Sequence, residues 1–223
     1  MMNQTAVSPI SASAIGTNKL IRNTYMLLSM TLIFSALTAT ASVFMDMPPM
    51  TYLLSLGGAM LLIWFVLPRT ANSSAGLGVV FGITGLMGFG LGPILTQYLS
   101  LPNGGELIAT AFGGTGVIFL SLSAYALTTR KDFSFMGGFL MTGMMVIIIA
   151  ALANIFLSMP LISLVISSVV IMLMSGFILY DTSRMLNGKE SNYIHMTVSL
   201  YLSLFNIFIS LLHILGAFAG GDD

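Results

Sequence analysis

The most chemically versatile side chains of this sequence form one stripe near its C-terminus. Six polar residues follow one another at steps of four, four, three, four and three: His195, Ser199, Ser203, Asn206, Ser210 and His213. Those steps place all six on one face of an α-helix. Such a row either hydrogen-bonds neighbouring helices or lines a hydrated cavity, and the pattern leaves both interpretations open. Ser203 and Asn206 are candidates for proton or ion sensing, and the other four are candidates for a polar path.

Asp181 is the acidic residue that could be buried at the end of an apolar segment. A carboxylate inside a bilayer is costly and commonly marks a functional position, so a buried Asp181 could act as a proton-sensitive switch. The alternative is a surface ion pair with Arg184, about one helical turn further on, which would contribute little to stability. Position in the sequence leaves both interpretations open.

Other site chemistries lack the residues that they need. The sequence has no cysteine, which excludes disulfides, thiolate metal sites and cysteine catalysis. His195 and His213 are separated by about 27 Å along a helix, so they cannot share a metal ion. No phosphate-binding loop, dinucleotide fingerprint or intramembrane protease signature is present. We therefore predict no catalytic, metal or cofactor site, and a protein that is not an enzyme.

The composition indicates that the surface of this protein faces lipid. Of the 223 residues, 57% are hydrophobic and only 6% are charged, whereas a soluble domain carries roughly 25% charged residues. The formal net charge is zero, so nothing indicates nucleic-acid binding. Membrane lipid is the expected environment.

The elements that must position these side chains are seven apolar segments. A bilayer is crossed by about 20 apolar residues in a helix, and seven segments approach or exceed that length: 23–45, 51–67, 76–99, 106–128, 133–158, 161–180 and 194–218. We predict an all-α polytopic membrane protein with seven transmembrane helices. Its divisions are a mobile cytoplasmic tail (1–18), the transmembrane domain (19–218) and a short outer tail (219–223).

The basic residues predict the orientation of the chain. All seven fall in the N-terminal tail or in even-numbered loops: Lys19, Arg22, Arg69, Arg130, Lys131, Arg184 and Lys189. Cytoplasmic loops carry the excess of Lys and Arg. We therefore expect a cytoplasmic N-terminus and a C-terminus on the outer, periplasmic side.

Two helices carry patterns that predict how the bundle packs. The third span has glycines at three- and four-residue steps (Gly78, Gly82, Gly85, Gly88 and Gly92). A small-residue face favours tight helix packing, with a hinge or a narrow path as the alternative. The polar stripe of the seventh span cannot face lipid, because unsatisfied polar groups are costly there. Helix seven is therefore predicted at the centre of the bundle.

The chain resembles the Bax inhibitor-1 (TMBIM) family of seven-helix membrane proteins over residues 19–218. Four segments carry the resemblance: 22–25, 88–93, 180–182 and 200–208. Residues 124–132, with Ser134 and Phe135, are similar to a bacterial inner-membrane branch of that family. The resemblance implies a fold in which six helices enclose helix seven.

The resemblance also implies two candidate activities. One is a pH-sensitive leak of calcium or another cation, in which aspartates on helices six and seven share a proton. Asp181 matches the first aspartate, but Ser203 stands at the second position, and a shared proton needs two carboxylates. The hydroxyl of Ser203 could still hydrogen-bond Asp181. Calcium is the candidate ligand under this hypothesis.

The second implied activity is modulation of the FtsH-type ATP-dependent membrane protease in membrane-protein quality control, and it is the preferred prediction. The cation channel or transporter is the alternative. A third hypothesis is a chaperone-like packing partner without transport, which predicts a dry, fully hydrogen-bonded stripe.

Overall fold

The structure, a computed structural model, describes residues 9–219 of the chain. The described part is all-α, and seven of its helices are long and apolar enough to cross a membrane, which confirms the predicted fold. They are α1 (Pro9–Phe44), α2 (Met50–Thr70), α3 (Ala75–Leu99), α4 (Gly104–Thr129), α5 (Gly137–Leu157), α6 (Pro160–Leu186) and α7 (Tyr193–Ala219).

Helices α1 and α6 extend furthest beyond the predicted segments. Helix α1 begins at Pro9, so residues 9–18 continue that helix, whereas we expected them in the tail; residues 1–8 and 220–223 lie outside the described residues. Helix α6 continues past Tyr180 to Leu186. A rule based on apolar length ends a helix too early where polar residues are buried by protein instead of facing lipid.

Helix α2 changes its hydrogen-bond pattern in its second half. Residues Leu62–Val66 form a π-helical turn, and the Leu67 N–H donates to the Leu62 carbonyl, five residues back. Pro68 follows at once and has no N–H to donate to the Trp64 carbonyl. The wider turn accommodates this missing donor, so α2 remains continuous to Thr70.

Helix α7 lies at the centre of the bundle, as predicted. It packs against α1, α3, α4 and α6, and its largest fully buried side chains include Leu200, Tyr201 and Ile207. The expected enclosure by all six other helices is incomplete. Helix α2 packs only on α3 and α5 only on α6, and neither comes within 8 Å of α7 between Cα atoms.

The glycines of α3 permit close contact with two neighbouring helices. A Cβ atom added at Gly85 would lie 2.7 Å from Phe34 of α1, and one added at Gly90 would lie 2.9 Å from Ser55 of α2. The predicted tight packing is therefore confirmed. The predicted glycines share a face only in part: Gly85, Gly88 and Gly92 meet α1, whereas Gly82 meets Leu62 of α2 and a Cβ at Gly78 would meet open space.

The loops that carry the basic residues are joined by polar contacts. The Asn192 side chain accepts hydrogen bonds from the N–H groups of Ile194 and His195 and donates to the Ala71 carbonyl. It thereby caps α7 and ties its start to the end of α2. Lys189 Nζ lies 2.6 Å from Asp132 Oδ2, and this hydrogen bond holds the pKa of Asp132 well below its usual range.

We expect Gly88→Ala to destabilise the protein and Gly78→Ala to stabilise it slightly. A Cβ at position 88 would lie 2.5 Å from Thr38 Oγ1 and would also strike the backbone of α1, and overpacking of this kind costs about 1–3 kcal/mol. At position 78 the higher helix propensity of alanine contributes up to about 1 kcal/mol without a clash. Thermal unfolding in detergent measures both variants. Equal melting temperatures would contradict the proposed contact between α1 and α3.

Candidate functional site

Asp181 is buried between α6 and α7. Its side chain is 2% exposed, and Ser199 Oγ donates a hydrogen bond to Asp181 Oδ2 at 2.5 Å. Of the two interpretations that the sequence left open, the structure therefore shows burial and not a surface ion pair with Arg184. Arg184 instead pairs with Glu190, with 3.2 Å between Nη2 and Oε2.

The turn of α6 that carries Asp181 is polar and lined by protein. Thr182 and Ser183 are fully buried. The Tyr25 hydroxyl of α1 lies 3.5 Å from Thr182 Oγ1, and Ser183 Oγ accepts a hydrogen bond from the Phe133 N–H at 2.8 Å. The neighbouring helix and loop therefore supply the partners that lipid cannot, and α6 can continue through this polar turn.

Three residues of the α7 stripe line a cavity of about 420 Å³: Ser199, Ser203 and Asn206. The opposite walls are apolar and come mainly from α2, with Trp64 among them, and from α5 and α6. The Ser199 hydroxyl joins the two features of the site, because it lines the cavity and donates to Asp181. A carboxylate thus lies directly behind one polar group of the cavity wall.

The hydroxyl partner of Asp181 differs from the one expected. Ser203 was the candidate hydrogen-bond partner of Asp181, but Ser199, one helical turn earlier, has that role. Ser203 is 3% exposed and lines the cavity. Asn206 donates through Nδ2 to the Leu202 carbonyl of its own helix. Periodicity places all three on one face but does not say which of them stands opposite a residue of α6.

The other stripe residues lie away from this cavity. His195 lies in the first turn of α7, and its backbone N–H donates a hydrogen bond to Asn192 Oδ1. Ser210 is buried. His213 lies toward the opposite end of α7, where its Nδ1 is 2.9 Å from Ser167 Oγ, and it lines a second cavity of about 590 Å³ with Asn154. Four of the six stripe residues thus line two separate cavities, and His195 and Ser210 line neither of these.

A second polar contact of α7 escaped the sequence pattern. Tyr201 is buried, its hydroxyl lies 2.6 Å from Ser35 Oγ of α1, and it donates to the Thr84 carbonyl of α3 at 3.3 Å. This network joins α7 to two helices on the side away from the stripe. The residue type alone could have indicated this contact, since a buried tyrosine hydroxyl usually finds a hydrogen-bond partner.

The oxygen-bearing side chains around Asp181 do not form a calcium-binding site. Ca²⁺ takes six to eight oxygen ligands, among which carboxylates dominate. Within residues 9–219, no three His, Cys, Asp or Glu side chains converge as a metal site would require. Asp181 supplies one carboxylate, and the nearby cavity supplies hydroxyl and amide groups. These groups suit hydrogen bonding to neutral molecules better than they suit a resident divalent cation.

Comparison with known proteins adds the family. The family model described as "Inhibitor of apoptosis-promoting Bax1" matches residues 17–220. "Modulator of FtsH protease YccA" of Escherichia coli K12 is 52% identical over 210 residues, which cover 94% of each chain. An uncharacterized membrane protein of Vibrio cholerae is 50% identical over 206 residues, 92% of each chain. An uncharacterized protein of Pseudomonas aeruginosa is 47% identical over 204 residues, 91% of this chain and 90% of the relative. This chain therefore belongs to the Bax inhibitor-1 family of seven-helix membrane proteins.

Proposed function

We propose that this protein modulates an FtsH-type ATP-dependent protease in the bacterial inner membrane and so takes part in membrane-protein quality control. The observation that carries the proposal is the 52% identity to a relative named as a modulator of FtsH protease. That alignment covers 94% of both chains. The unaligned residues are too few to omit one of the seven spans, so the similarity concerns the whole bundle.

The shape of the molecule supports association within the membrane. The described connections between the helices are short, so a partner meets helix surfaces and the rims of the bundle instead of a soluble domain. Helix α5 packs only on α6 and has the smallest buried share of the seven spans, at 6%. A helix with so much free apolar surface is available to a membrane-embedded partner.

The proposed orientation directs one rim toward a cytosolic protease domain. Arg69, Arg130 and Lys189 lie at the ends of α2, α4 and α6, on the side where α1 begins. The positive-inside rule makes this side cytoplasmic and places the C-terminus in the periplasm. The polar N-terminal segment, residues 1–18, would then face the cytosol, where a protease domain can reach it. The protein acts by binding and not as an enzyme.

We expect the tagged protein to co-purify with FtsH from mild detergent and its overproduction to slow the degradation of a membrane-protein substrate of FtsH. Direct association would compete with substrate delivery within the membrane. Affinity capture measures the first effect and pulse-chase decay of the substrate measures the second. An unrelated seven-helix protein at equal abundance serves as the control.

A variant that lacks residues 2–8 tests which part of the protein contacts FtsH. Retained capture with restored substrate decay would assign inhibition to the N-terminal segment and binding to the helix surfaces. Absence of capture together with unchanged substrate decay in the full-length protein would overturn the proposal.

A cation channel is the second candidate, and one observation favours it. Asp181 is buried and hydrogen-bonded to Ser199, which lines the cavity. Two observations weigh against it. Ser203 provides a hydroxyl where a second carboxylate would be needed to share a proton, and the four stripe residues that line cavities are split between two separate ones. These observations rank conduction below protease modulation.

We expect proteoliposomes containing the wild-type protein to show no calcium or proton flux above empty liposomes between about pH 6 and pH 8, the range that brackets neutrality. Asp181→Asn should also show no flux, because there is no conduction for Asp181 to control. Ser203→Asp is the matched comparison, since it places a second carboxylate on α7. Wild-type flux that disappears in Asp181→Asn would make the cation channel the preferred function. Flux seen only in Ser203→Asp would show that the serine at position 203 prevents conduction.

A further inference from the structure

Part of the wall of the cavity beside Ser203 lies on the exposed outer surface of the bundle. Helices α2 and α5 both contribute to this wall, and no Cα atom of one lies within 8 Å of a Cα atom of the other. The side chains of Met60 and Trp64 at its edge are 44% and 68% exposed. In a bilayer the molecules that reach such an opening come from the lipid phase and not from water.

The walls of this cavity suit an apolar, uncharged ligand. None of its lining residues is charged, and an uncompensated charge at this depth in a bilayer is costly. Four methionines line it: Met60, Met87, Met144 and Met174. Methionine is flexible and polarizable and adapts to irregular apolar ligands. The wall therefore favours a flexible hydrocarbon chain over an ion.

The α7 side of the cavity is polar and carries unused hydrogen-bonding capacity. Asn206 Nδ2 donates to the Leu202 carbonyl, which leaves its Oδ1 as an acceptor at the cavity. Ser203 also lines the cavity, and its hydroxyl can donate a hydrogen bond to a ligand. Unsatisfied polar groups are costly in hydrocarbon. A ligand hydroxyl can donate to Asn206 and accept from Ser203 at the same time.

The size of the cavity distinguishes a small ligand from a protein helix. Its volume of about 420 Å³ lies within the range of small-molecule sites, about 300–1,000 Å³. A membrane-spanning helix is about 10 Å wide and 30 Å long, which corresponds to more than about 2,000 Å³. A partner helix therefore does not fit into the cavity, whereas a single hydrocarbon chain does.

We propose that this cavity binds a neutral long-chain alcohol-type lipid that enters from the bilayer between α2 and α5. Its hydroxyl head hydrogen-bonds to Ser203 and Asn206, and its chain lies along the methionine-rich wall toward Trp64. This ligand site does not depend on association with a protease. It also requires no ion to enter the cavity.

Trp64 makes the site measurable, because it is the sole tryptophan of the chain and lines the cavity. The protein is reconstituted in lipid nanodiscs and titrated with ω-bromododecanol, whose terminal bromine quenches indole fluorescence. Free alcohol in the bilayer produces quenching that rises linearly with its mole fraction. We expect an additional component that saturates, since a site with one ligand fills.

Three variants test whether the saturable component belongs to this cavity. Ser203→Phe fills the cavity and should abolish the component, whereas Ser168→Phe, the same change at an exposed position of α6, should retain it. Asn206→Leu keeps the approximate size and removes the acceptor, so binding should weaken about three- to tenfold, as expected for the loss of one hydrogen bond in a membrane. Thermal unfolding verifies that each variant is folded, and Asn206→Leu remains informative if Ser203→Phe does not fold.

Purely linear quenching in the wild-type protein would overturn the proposal. So would a saturable component of equal strength in folded Ser203→Phe, because the ligand would then bind elsewhere. If Asn206→Leu binds the bromoalcohol with unchanged affinity, the proposed hydrogen bond between Asn206 and the ligand hydroxyl is wrong.

Discussion

The interior of a membrane offers no water to polar groups, and the arrangement of this bundle depends on that constraint. Helix α7 carries more polar side chains than a lipid-facing helix can tolerate, so it is held at the centre by its neighbours. Three hydrogen-bonded contacts link it to α1 and α6: Ser35 with Tyr201, Asp181 with Ser199, and Ser167 with His213. The polar groups that suggest function therefore also hold the helices together.

The bundle is held tightly on one side and loosely on the other. Glycines of α3 bring α1 and α2 close to it, which maximises packing where the hydrophobic effect does not drive association. Helices α2 and α5 each rest on a single neighbour. Their backbones stay more than 8 Å apart between Cα atoms, and a cavity beside α7 lies between them, bounded by apolar walls and by the polar face of Ser199, Ser203 and Asn206.

The chemistry of this cavity bears on both proposals. The α6 carboxylate, Asp181, is satisfied by a serine hydroxyl, and the cavity lining is uncharged. A site of this kind recognises neutral lipid-soluble molecules more readily than it conducts cations. Protease modulation concerns the outer surfaces and rims of the bundle, so a bound lipid and a membrane-embedded partner would occupy different parts of the molecule.

The number of spans, the central place of α7 and the close packing of α3 were predictable from the sequence, because hydropathy and helical periodicity are local properties of the chain. Burial of Asp181 was open, and its partner proved to be Ser199 and not Ser203. The cavity could not be predicted from the sequence either, since it depends on how far apart α2 and α5 lie in the bundle. Periodicity shows which residues share a face of one helix. Only the packing of helices distant in the sequence decides which side chain stands opposite another and where no neighbour fills the space.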